Sequence, residues 1–291
     1  MYPNALAMLA MDERDATVIR GLAAAASGLG VERVTLVHVA MKEPLPAGLL
    51  AGIHLPDPPP PAALQQAVHE LQQQLPDVEV AGHFAVGAPA EVLEAMIADD
   101  DIDLLVMGRA PSKEGEPSWG PHGRHLLRSA ACSVLVVPKD AVLGLDHAVV
   151  GLDFSRNAGE ALQVACGLAK RTTAICQYDT AVAGSGAITD AEFEAALEKN
   201  AREHFERDLA PLLGDLPHPA LHIANGPRAS EVLIQAAGTD LLVVGSRGLS
   251  RLATMLLGST AENLAGRSIG PLLIVRRKGE VLGLLEGLVH R

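Results

Sequence analysis

One feature constrains this chain above all others: it is written twice. "HFAVGAPAEVLEAM" from His83 reappears as "HIANGPRASEVLIQA" from His222. "DIDLLVMGRA" from Asp101 returns as "GTDLLVVGSRG" from Gly238, and "ACSVLVVPK" from Ala131 as "IGPLLIVRRK" from Ile269. Separations that hold near 140 residues across distant segments are the mark of a tandem duplication. The length of 291 residues also exceeds what one ordinary core organises. Two domains are therefore expected, residues 1–143 and 144–291, meeting near Lys139–Asp146. Even "KDAVLGL" at Lys139 recurs as "KGEVLGL" at Lys278. A short packing element after the last strand thus belongs to the repeat and is a candidate for exchange between the copies.

Within each copy, short apolar runs alternate with Ala-rich helical stretches. Strands are expected at 6–11 and 149–152, and each run precedes an aspartate, Asp12 in one copy and Asp153 in the other. Helices follow at 16–29 and 158–170, second strands at 34–39 and 173–178, and second helices at 61–74 and 190–213. "DLLVMG" and "DLLVVG" supply a later strand, "VLVV" and "LLIV" the last. Alternation at this pitch implies βαβ units with right-handed crossovers and an α/β fold, an open parallel sheet covered by helices on both faces. Only seven residues are aromatic, so Ala, Leu, Val and Ile must build the core. Aliphatic strands of that kind suit a sheet buried on both sides. The copies differ most after the second strand, where the first carries "EPLPAGLLAGIHLPDPPPPAA" and the second a Gly-Ser-Gly turn at 184–186.

Charge and composition remove several function classes. A formal net charge of -12 argues against nucleic acid as a partner, because counterion displacement needs clustered Lys and Arg. Stacking platforms for single strands are missing as well. No run approaches the roughly 20 apolar residues that span a bilayer, so no membrane partner is expected. The start, "MYPNALAMLAMDERD", lacks the basic and apolar regions of a signal peptide. Three cysteines (Cys132, Cys166, Cys176) form no CxxC pair. A reduced, cytoplasmic setting is expected.

The stretch "GSRGLSRLATMLLGST", Gly245 to Thr260, carries the chemistry. It follows an apolar strand, at the carboxyl edge where open parallel sheets bind ligands. A Walker loop would read G-x4-G-K-[ST] and supply a lysine; here the spacing is G-x2-G-x9-G-S-T and no lysine occurs. Glycine at 245 and 248 permits positive φ and close backbone approach. Ser259 and Glu262 have the spacing of a capping box, which makes Ser259 the expected N-cap of a helix whose N-terminus attracts an anion. A lone G-x2-G is explained as well by a turn. The full spacing, the preceding strand and the helix start together favour a phosphate cradle.

On these residues the chain resembles the universal stress protein family in its tandem, two-domain form. The motifs that carry it are Asp153 in "VVGLDFS", "GPRASEVL" from Gly226, and Gly245-x2-Gly248-x9-Gly258-Ser259-Thr260 before "PLLIV". The resemblance implies two tandem five-stranded, Rossmann-like domains and an adenine nucleotide, ATP or else ADP or AMP, with or without Mg2+. It implies that Asp153 meets the adenine side of the ligand. Gly245 and Gly248, with Gly258, Ser259 and Thr260, would hold ribose and phosphates. Arg247 lies within the motif, and facing phosphate and facing solvent are equally open to it. The resemblance also implies dimerisation through the last strands, either inside the chain as a pseudo-dimer or between two chains.

The first copy departs from the motif. Asp12 is read as retained, but Gly108 is followed by Pro111 in place of the second glycine, and Gly120 by Pro121 in place of the serine. Pro121 lacks both hydroxyl and N–H, and Glu114 and Glu116 add charge that a polyphosphate would repel. One competent site, in the second copy, is the expectation.

Other constellations are weaker. His83 and His222 occupy equivalent strand starts without a second ligand at metal spacing. Cys132 lies near a helix end, where its pKa is free to fall. Asp99–Asp103 reads as a solvated turn. Neither a G-x-S-x-G elbow nor an HxGH motif is present, so hydrolysis or adenylyl transfer has no support beyond slow ATP turnover. The first functional expectation is an ATP-binding regulatory protein of stress response, acting on an unknown protein partner. The alternative is a nucleotide-free interaction module acting through protein contacts.

Overall fold

The computed structural model describes residues 2–41, 59–109, 120–179, 190–248 and 257–277. The Pro-rich loop, the Gly-Ser-Gly turn, Pro111 with Glu114 and Glu116, the middle of the Gly245–Thr260 stretch and the second VLGL segment lie outside the described residues.

The first copy runs β1 (Asn4–Met8), α1 (Asp15–Leu29), β2 (Arg33–Ala40), α2 (Ala62–Gln74), β3 (Glu79–Val86), α3 (Pro89–Asp99), β4 (Leu104–Arg109), α4 (Gly120–Ser129) and β5 (Ser133–Pro138). The second runs β6 (His147–Gly151), α5 (Arg156–Leu168), β7 (Arg171–Tyr178) and α6 (Asp190–His204). A π-helical turn (Phe205–Leu209) and α7 (Ala210–Leu213) follow, then β8 (Ala220–Asn225), α8 (Ala229–Ala237), β9 (Leu241–Gly245), α9 (Ser259–Arg267) and β10 (Leu272–Val275). The expected strand–helix alternation is present. The single helix expected over 190–213 is instead broken by the π-helical turn, which ends just before Pro211. Proline cannot donate to the carbonyl a turn earlier, so the regular ladder cannot pass through it.

The strands form one ten-stranded sheet in the order β3-β2-β1-β4-β5-β10-β9-β6-β7-β8. Each half is a parallel five-stranded sheet of the same internal order. The halves meet where β5 and β10 pair antiparallel, Leu135 opposite Leu273 and Val134 opposite Ile274. The order therefore reads alike from either end, which is the arrangement of an internal two-fold. Its central strands are buried on both sides, whereas the edge strands β3 and β8 are half-buried or exposed. One core cluster joins α1, α2 and α5 to strand residues of both halves, among them Leu22, Leu135, Leu162 and Leu273. The other joins α3, α4, α8 and α9 through Leu93, Leu126, Leu233 and Leu264. The first VLGL segment packs against the first of these clusters: Leu143 is buried in it, and Leu145 and Leu168 approach Gly28 of α1.

Candidate functional site

The strand order reverses between β6 and β9, so their carboxyl ends leave a crevice. A cavity of about 410 Å³ opens there, a volume within the range that small ligands fill. Every site residue expected from sequence lines it: Asp153 after β6, Gly245, Arg247 and Gly248 after β9, and Gly258, Ser259 and Thr260 at the start of α9. Phe154, Ser246, Cys176, Gln177 and Leu233 complete much of the wall. Those five were not found by motif. Their common signal is position, at strand ends beside the crevice or, for Leu233, on the helix covering it.

The glycines serve close approach rather than positive φ, since neither Gly245 nor Gly248 lies in the left-handed region. A Cβ on Gly245 would sit 2.7 Å from the Asn157 carbonyl carbon at the start of α5. A Cβ on Gly248 would sit 2.5 Å from Asp153 Oδ2, so the loop lies directly against that carboxylate. Gly258 is less confined, with its nearest neighbour at 3.5 Å, and its N–H donates to Ser246 O at 2.8 Å. Asp153 Oδ1 accepts from Ser155 N at 2.9 Å, and the Ser155 hydroxyl caps α5 by accepting from Ala158 N at 3.2 Å.

The expected capping box does not form. Gly258 is the N-cap of α9, with extended dihedrals (φ -72°, ψ 149°), and Ser259 is the first helical residue. Glu262 turns away to Arg128 of α4, Nη2 to Oε1 2.6 Å, instead of folding back on the helix start. Glycine offers no side-chain acceptor, so the first amides of α9, beyond the reach of any helical carbonyl, meet the cavity through Ser259, Thr260 and Ala261. That end carries the positive pole of the helix.

The first copy differs more than its sequence suggested, and Asp12 is not the counterpart of Asp153. Leu9 N donates to Val37 O as Leu152 N does to Ile175 O, each at 2.8 Å. Met11 (φ 60°) and Phe154 (φ 59°) both take the left-handed conformation. This register sets Ala10 opposite Asp153 and Asp12 opposite Ser155. Asp12 is held by Arg14, whose Nε lies 2.8 Å from both carboxylate oxygens. Asp15 accepts from Ala10 N and Met11 N, 2.8 Å each, so a carboxylate already takes the amides of this turn. Burial raises its pKa against those hydrogen bonds. The matching cavity, lined by Ala10, Arg14, Asp15 and Gly108, measures about 70 Å³.

Other expectations resolve by burial. Cys132 is buried and burial pushes its thiol up to about 12, the reverse of the expected fall. Cys176, half-buried in the cavity wall, is raised by burial and then by the Asp153 charge. His83 and His222 lie opposite Val37 and Ile175, equivalent places within β3 and β8 rather than at their starts, and both are exposed. Asp99, Asp100 and Asp101 are exposed at the turn that ends α3, as expected, whereas half-buried Asp103 accepts from Asn4 N through Oδ2 at 3.0 Å. Among the described residues no group of three His, Cys, Asp or Glu could hold a metal ion, and no helix is long and apolar enough to cross a membrane.

The universal stress protein family model matches twice, at residues 5–138 and 144–276. The chain belongs to the universal stress protein family. Universal stress protein YxiE of Bacillus subtilis is 49% identical over 55 residues, 18% of this chain and 37% of that protein, so the match spans little more than a third of the relative. A universal stress protein from Archaeoglobus fulgidus shares the whole two-domain fold, with TM-score 0.63 over 94% of this chain and 98% of that one at 19% identity. A family protein from Arabidopsis thaliana, solved with AMP bound, covers 47% of this chain and 92% of its own at 14% identity and TM-score 0.31.

Proposed function

We propose that the second half binds one adenine nucleotide, ATP in the first instance, and that the protein is a nucleotide-responsive regulator rather than a catalyst. The observation that carries this reading is the glycine cradle. Gly248 brings the loop backbone directly against the Asp153 carboxylate, where any side chain would displace it, and α9 begins at Ser259, after a Gly258 N-cap with no side-chain cap, facing the same cavity. Residues of both kinds fit a nucleotide. Helix amides and the hydroxyls of Ser259 and Thr260 suit phosphate oxygens. Leu233, Ile175 and Phe154 offer apolar wall for a base, and the Asp153 carboxylate can accept from its amino group or from a ribose hydroxyl. Arg247 supplies the cationic side chain of the described cavity wall.

The first half is read as non-binding. Ala10 replaces the aspartate, Asp15 occupies the turn amides and the cavity is small. The β5–β10 pairing supports an internal pseudo-dimer. Regulation follows if ATP binds one loop conformation better than others and so shifts their populations, changing the surface offered to a protein partner. Calorimetry with ATP, with and without Mg2+, on the wild type and on Gly248→Val tests the reading. One saturable site per chain, lost in the variant, is expected. Absence of saturable binding, or equal binding by both proteins, leaves the nucleotide-free interaction module instead.

A further inference from the structure

The half without a nucleotide cradle grips the helix that completes the other half's cradle. Arg109, the last residue of β4, crosses the β5–β10 seam to the carboxyl end of α9. Its Nη1 donates to Ala265 O at 2.7 Å and its Nη2 donates to Ser268 O. Arg128 of α4 holds the same helix nearer its start through Glu262. A cation at a helix carboxyl end satisfies orphan carbonyls and suits the dipole. Two anchors on a nine-residue helix also set its axis, and hence where its first amides point.

The reverse contact exists, but from a different place in the repeat. Arg276, which follows β10, donates to Leu127 O (3.2 Å) and Ala130 O at the end of α4. Those carbonyls are the counterparts of Ala265 and Ser268. The arginines are not counterparts. Arg109 pairs in register with Pro138 of β5 and stands where the second copy has Ser246. Ser246 is fully buried in the cavity wall. An arginine on that strand end is thus incompatible with the cradle in its own half, while it serves the cradle of the other.

We infer that Arg109, with Arg128, is a positioning residue for the second half's nucleotide site, so that the degenerate motif beginning at Gly108 is a working part of the intact one. Arg128 has a second effect. It neutralises Glu262, whose carboxylate otherwise stands one turn from the phosphate position.

The inference rests on the nucleotide reading above, and its test keeps the two apart. ATP binding to the full chain is measured by calorimetry for the wild type, Arg109→Ala, Arg109→Lys and Arg276→Ala, with unfolding followed in parallel. The expected result is ATP binding weakened by about tenfold in Arg109→Ala and partly restored in Arg109→Lys. In Arg276→Ala, which breaks the matching contact on α4, affinity stays within about twofold. Unchanged affinity in Arg109→Ala, or equal losses in Arg109→Ala and Arg276→Ala, overturns it. Should the buried variants not fold, the exposed pair decides: Arg128→Ala weakens ATP several-fold, and no change there overturns the inference. A wild type that fails to bind ATP defeats the parent reading instead.

Discussion

At the residue scale, three glycines of one motif carry three different physical burdens, and substitution by alanine separates them. Gly245→Ala drives a methyl into the Asn157 backbone, which cannot swing aside. A loss of roughly 1–3 kcal/mol in a denaturant melt is expected, the usual cost of overpacking. Gly248→Ala meets the Asp153 carboxylate, which can rotate, so stability changes little while ATP affinity falls. Gly258→Ala finds ordinary contact distances but puts a poorer N-cap at the start of α9, so a loss of roughly 0.5–1 kcal/mol is expected. Equal stability losses in all three would show that the glycines merely turn the chain. Cys176 offers an independent probe. Only the thiolate is alkylated, and burial together with the Asp153 charge raises its pKa above the ordinary thiol value. Labelling of native protein should be slow at pH 7 and climb as pH rises past 9. Cys176 should react ahead of buried Cys132 and Cys166, and ATP should retard it. Labelling indifferent to ATP would place the nucleotide elsewhere.

At the element scale, the start of α5 and the start of α9 contrast. Ser155 caps α5 through its hydroxyl, so Ser155→Ala should cost about 1 kcal/mol in a chemical melt and Ser155→Asp should retain most of it. A cost near zero for the alanine variant would mean that Asp153 alone orders this turn through Ser155 N. At α9 the sequence pattern was misleading. Ser-x-x-Glu marks a capping box when Glu is otherwise unengaged, but Arg128 approaches from the other half and takes Glu262. No local pattern carries that long-range contact. The same holds for the aspartates. Matching an apolar run before each made Asp12 the twin of Asp153, whereas sheet pairing and the left-handed residues Met11 and Phe154 shift the register by two. What was legible came from spacing within one element: the strands, most helices and the glycines around the crevice. What was not legible came from partners far along the chain, as with Arg109, Arg276 and Glu262.

At the scale of the whole molecule, the duplication becomes one folding unit rather than two beads on a string. Both core clusters mix residues of the two halves, and β5 and β10 bury each other's edge. Interfaces that are large and apolar suppress independent domain behaviour. Scanning calorimetry of the full chain should therefore show one transition, with calorimetric and van't Hoff enthalpies in agreement. Leu135 sits at the seam, 1% exposed and opposite Leu273. Leu135→Ala should destabilise by roughly 2–5 kcal/mol, as large-to-small core changes do, and should lower that single transition without splitting it. ATP, bound to the second half alone, should raise the midpoint of the whole transition, because a ligand that binds only the native state stabilises every part that unfolds with it. Two separated transitions, of which ATP moves only one, would contradict this. They would also weaken the case that Arg109 of the first half steers the second, since a positioning contact needs the two halves to be folded together.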